Sequence, residues 1–70
     1  MKINWTNQEA ALLRTVAPQI DPMRDLDEDT IISLTEEIGH HLALQGVDAQ
    51  GAPNKVGLLC ETIIDKLTEN

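Results

Sequence analysis

The sequence predicts a small all-α protein, a three-helix bundle. Three observations predict it. Apolar residues recur at helical spacing in three separate stretches. Each stretch opens on a residue able to cap a helix, and no stretch alternates apolar and polar residues as a strand would. The chain has 70 residues, no Phe, no Tyr and a single Trp, so its core must be aliphatic. Seventy residues make one helical domain, 1–70, whose unfolded surface is only about 60% buried on folding.

The first helix is expected over about 6–17. Thr6 can cap it, and Glu9 three residues on completes a capping box. Trp5 before the cap and Ala10 after it suit a hydrophobic staple. Leu12, Leu13, Val16, Ala17 and Ile20 follow at helical spacing. Pro18 disfavours helical geometry at Ala17, so the helix should stop there. Asp21-Pro22 can open a short extra helical turn over 22–26, with Met23 and Leu26 pointing back into the core.

The second helix, about 27–45, is the centre of the chain. Its acidic first turn suits the positive end of the helix dipole. At 100° per residue, Ile31, Leu34, Thr35, Ile38 and Leu42 share one face. Ile32, Gly39 and Ala43 form an adjacent face, small enough for another helix to approach closely, so the helix should pack on two sides. Gly46 supplies the stop.

A polar, turn-rich loop, Val47 to Pro53, leads to the third helix, about 54–68, capped by Asn54. Val56, Leu59, Cys60, Ile63, Ile64 and Leu67 give it the clearest apolar stripe in the chain. Short connections favour antiparallel or steeply crossed neighbours.

Charge narrows the function. The net charge is -7, and seven acids against the single base Arg24 lie between Asp21 and Glu37. Phosphate backbones are repelled by such a surface, and stacking on single-stranded nucleic acid needs aromatics that the chain lacks. No nucleic-acid role is expected. No apolar run approaches the roughly 18 residues of a membrane span, and Met1-Lys2-Ile3-Asn4-Trp5-Thr6 lacks a signal-peptide core. With Cys60 as the only cysteine, no internal disulfide can form. A cytoplasmic protein is expected, with no membrane partner.

Four groups of residues invite a chemical reading. His40 and His41 point about 100° apart on a helix and cannot chelate one metal as an i, i+4 pair could. One is expected at the surface and one at the core boundary. Cys60 falls among Leu59, Ile63 and Ile64 and reads as a small core hydrophobe. Asp25, Asp27, Asp29 and Glu36 match positions one, three, five and twelve of a calcium loop, but Thr30 stands where that loop needs glycine. The apolar periodicity from Ile31 competes with a loop there.

Ser33-Leu34, in an acidic helix, resembles part of the Asp-Ser-Leu motif on which acyl and peptidyl carrier proteins bear phosphopantetheine. That resemblance implies a small helical domain modified at Ser33. Here Ile32 replaces the Asp, and Ser33 is expected inside the helix rather than at its start.

Two leucines break the amphipathic pattern. Leu44 and Leu58 fall on otherwise polar faces and flank the same loop. With Val47 they can form a small apolar patch suited to a partner or a second copy.

The reading that follows is a non-catalytic, acidic protein-interaction or regulatory module needing no cofactor and no metal. A carrier domain modified at Ser33 and a weak calcium-binding domain are the alternatives. The expected contact residues are Asp25, Asp27, Glu28, Asp29, Glu36, Leu44, Val47 and Leu58, and the expected partner is a protein with a basic surface or another copy in a homodimer.

Overall fold

The computed structural model describes residues 2–69; the ends of the expected 1–70 domain, Met1 and Asn70, lie outside them. Three helices form the fold: α1 (Asn7–Val16), α2 (Glu28–Gln45) and α3 (Lys55–Thr68). It is the expected all-α three-helix bundle, and every helix boundary lies within one residue of the expected one. The described residues include one isolated β-bridge, Val47 with Pro53.

The caps explain the boundaries. Thr6 Oγ1 accepts the Glu9 N–H at 3.2 Å and Glu9 Oε1 accepts the Thr6 N–H at 2.8 Å, which completes the capping box. Asp27 Oδ1 accepts the Thr30 N–H at 2.7 Å, and Asn54 Oδ1 accepts the Gly57 N–H at 2.9 Å. Gly46 ends α2 as expected but by a different device. Its φ is -94°, not left-handed. Its carbonyl turns out of the helix to accept the Asn54 N–H at 2.9 Å.

α2 and α3 form the most extensive contact, a hairpin closed by residues 46–54. In that loop the Asp48 carboxylate accepts the N–H groups of Gln50 and Ala52, and Gly51 takes a positive φ of 81°. At its base the α2 C-terminus touches α3 backbone to backbone. A Cβ on Gly57 would collide with the Gly46 carbonyl oxygen.

α1 lies antiparallel to α3. Lys66 Nζ meets Glu9 Oε1 at one end, at 2.6 Å. At the other end Thr15 and Val56 line the same groove. Thr15 and Val16 also lie beside His41 and Leu44 of α2. The connection 17–27 therefore runs back along the bundle instead of forming a tight hairpin. It is pinned by buried Ala17, Pro22 and Leu26, and the Pro22 carbonyl accepts the Trp5 Nε1–H at 2.9 Å. The core joins Trp5, Ala10, Leu13, Ala17 and Leu26 to Leu34, Ile38, Cys60, Ile63 and Leu67.

Three expectations are corrected. Residues 22–26 form an ordinary turn, closed by Arg24 N–H to Asp21 O at 3.3 Å, with Asp21 Oδ1 accepting the Met23 N–H. That geometry buries Pro22 and sends Met23 outward, 46% exposed. The Ile32, Gly39 and Ala43 face of α2 is not packed: Ile32 is 50% exposed and a Cβ on Gly39 would meet nothing within 4 Å. α1 and α3 both pack on the Leu34 and Ile38 side, which leaves no helix to cover the other. Val56, expected in the core stripe, is exposed, because it lies in the first turn of α3 beyond the reach of small Thr15.

Candidate protein interaction surface

The acidic residues cluster at the start of α2. Asp25, Asp27, Glu28 and Asp29 are all exposed. Asp27 spends its carboxylate on the cap, and its bonds from Thr30 hold its pKa below the ordinary value. Glu28 and Asp29 sit in the first turn, where the N–H groups favour negative charge. Glu36 is exposed two turns further along. Residues 28–36 are helix rather than loop. Among the described residues no three His, Cys, Asp or Glu side chains converge to hold a metal ion.

Ser33 is exposed in the second turn of α2, not at its start. His40 is exposed and His41 half-buried, as expected. Cys60 is fully buried, and burial pushes its thiol pKa up, so it stays protonated and unreactive. No helix among the described residues is long and apolar enough to cross a membrane.

The apolar outliers are more informative. Leu58, 56% exposed, lines an open groove of about 680 Å³ between α1 and α3. Ala11, Leu12 and Thr15 form one wall and Val56, Leu58 and Leu59 the other. Ala11 and Thr15 are too small to close the gap that Leu12 and Leu59 leave. The hydroxyls at the rim are already satisfied: Thr15 donates to the Ala11 carbonyl and Thr62 to the Leu58 carbonyl, each at 3.0 Å. The groove lining is therefore mostly apolar, with Gln8 and Lys55 as its remaining polar residues. Among the described residues, Lys55 is the only charged one lining it.

Leu44, 63% exposed, lines a second hollow of about 510 Å³ with Val16 and His41. The two hollows share Thr15 and Val56. The structure thus joins Leu44 to Leu58 in one surface, through Val56. Val47 is exposed but lines neither hollow; its backbone is held across the loop by Pro53. Most of the acidic cluster lies apart from this surface, although Glu37, next to Glu36, lines the second hollow. Asp27 and Leu44 are 17 residues apart on α2, about 25 Å along its axis.

Sequence reasoning missed Val56 as a surface residue; Leu12 and Leu59 pack against the core as expected but also line the groove. The spacing of Val56 and Leu59 was that of a buried stripe, and only the small residues facing them on α1 left the stripe partly open.

Fold and surface define a small acidic three-helix bundle with an open apolar groove. Compared with family models, curated proteins and solved structures, the chain matches none.

Proposed function

We propose that the protein is a non-catalytic, acidic interaction module that binds a protein partner through its helix faces. The observation that carries this is the open, mostly apolar groove at Leu58, which runs through Val56 into a more polar hollow at Leu44. An amphipathic segment can lay its apolar side chains into such a groove. The cluster Asp25, Asp27, Glu28, Asp29 with Glu36 favours a basic partner. Its part at the start of α2 lies about 25 Å from Leu44, well beyond the roughly 8 Å screening length of physiological salt, with Glu36 nearer at about 12 Å. It therefore acts on the approach of the partner more than on the docked contact. The single, buried, unpaired Cys60 supports a reducing compartment such as the cytoplasm as part of this reading.

The test uses an amphipathic helical peptide with leucines at i, i+4 spacing and several lysines. Its association rate should fall with added salt while its dissociation rate stays nearly constant. Leu58→Asp should speed dissociation by about tenfold or more. An association rate indifferent to salt would remove the electrostatic part. Unchanged affinity in Leu58→Asp would remove the groove.

A further inference from the structure

Glu37 is placed differently from the acids at the start of α2. Asp25, Asp27, Glu28 and Asp29 stand on an open helix end. Glu37 lines the hollow that continues the α1–α3 groove past Thr15 and Val56. Among the described residues it is the only acid in that lining, and no lysine or arginine joins it there. Its carboxylate has no ion-pair or hydrogen-bond partner among them. A charge partly enclosed by protein is screened less by salt than one on an open surface, and concave walls focus its field.

The length of the groove decides which part of a docked helix arrives at that hollow. The lining runs from Gln8 to Thr15 on α1 and from Lys55 to Thr62 on α3. Each span covers seven residue steps, about 10.5 Å along a helix. Apolar side chains at i and i+4 of a docked helix therefore lie within the groove. The next residues on the same face, i+7 and i+8 counted toward Thr15 and Val56, pass that junction and reach the hollow of Glu37. Lys55 stands at the same end but lines the groove alone. It repels a base level with itself and leaves one a turn further on to face Glu37. The surface is thus complementary to an uncharged apolar stretch followed by a base.

We propose that the partner of this surface is an amphipathic helix whose leucines at i and i+4 fill the α1–α3 groove and whose lysine or arginine at i+7 or i+8 pairs with Glu37. This rests on the groove being an interaction surface. It divides the acids by role: those at the start of α2 speed the approach, and Glu37 holds the docked helix.

The test measures association and dissociation rates of the full chain with a synthetic helical peptide that carries leucines at i and i+4 and a single lysine at i+8. Glu37→Gln should speed dissociation about threefold to fivefold, with an unchanged helical circular dichroism spectrum. Glu61→Gln removes an equal charge outside both linings and should leave dissociation within about 1.5-fold of wild type. Replacing the peptide lysine by glutamine should match the effect of Glu37→Gln, and the two changes together should speed dissociation no more than either alone. A Glu37→Gln chain that releases the peptide at the wild-type rate, while Leu58→Asp still releases it faster, overturns the pairing and keeps the groove. Two changes whose effects multiply, or a Glu61→Gln effect as large as that of Glu37→Gln, overturn the pairing as well. A peptide held equally by wild type and Leu58→Asp, or by neither, removes the groove and the pairing with it.

Discussion

Glu9 is buried and held by several polar contacts at once. It is 2% exposed and charged. Burial alone would raise its pKa. The Lys66 ammonium at 2.6 Å and the bonds from Thr6 outweigh that and hold the carboxyl below its ordinary value of 4.5. Lys66 also reaches the Asn4 carbonyl at 3.0 Å and lies 5.7 Å from the Trp5 ring centre. A carboxyl whose pKa falls on folding stabilises the fold above its unfolded value. That contribution is lost as pH drops through the lower folded value. Glu9→Gln keeps a side chain able to complete the capping box and removes only the charge. It should cost about 2 kcal/mol near neutral pH, less than a fully buried pair would, because Lys66 keeps part of its hydration. The difference from wild type in urea unfolding should be largest at about pH 7 and should shrink at about pH 3. An equal difference at both would assign the effect to packing. Half of this site is legible in the sequence: Thr6 and Glu9 announce the capping box by their spacing. Lys66, 57 positions away from Glu9, carries no local signal, because only the packing of α1 on α3 brings the two together.

At the scale of elements, the two helix-borne glycines of α2 and α3 should answer substitution with opposite signs. Gly39 has open space around it, so Gly39→Ala should stabilise the fold by up to about 1 kcal/mol through helix propensity. Gly57→Ala gains the same propensity, but its Cβ would run into the Gly46 backbone. Backbone cannot yield as a side chain does, so a net loss of about 1–3 kcal/mol is expected. Thermal unfolding of the two variants checks both, at several degrees per kcal/mol for a domain this small. Gly39 shows where reading the sequence misleads. A small residue on a helix permits a close neighbour, yet permission does not supply one. The caps Thr6, Asp27 and Asn54 were readable because the group that ends a helix lies next to it in the chain. The turn at 22–26 was not. Asp21-Pro22 suits a helical start and a plain turn equally, and the Trp5 bond to the Pro22 carbonyl supports the turn.

For the whole molecule, the fold class and helix order were legible, while the arrangement of α1 was not. Periodicity marks which face of each helix is apolar but not how far that face is covered. This is why Leu44 and Leu58 stood out as exposed while Val56 beside them read as core. Asp27 and Leu44, at opposite ends of α2, lie about 25 Å apart.

The return of residues 17–27 along the bundle also bears on the order in which the chain acquires structure. α2 and α3 are joined by a short loop and form their contact locally. α1 packs on both α2 and α3, but far less extensively than those two pack on each other. Contacts of long sequence separation form late, because closing their loops costs entropy first. α1 should therefore dock last during synthesis and undock first in the folded protein. Native-state hydrogen exchange should show the amides of Leu12–Val16 opening at a lower free energy than those of Leu34–Ile38 and Cys60–Ile64. Uniform protection across all three helices would show instead that α1 belongs to the same cooperative unit from the outset.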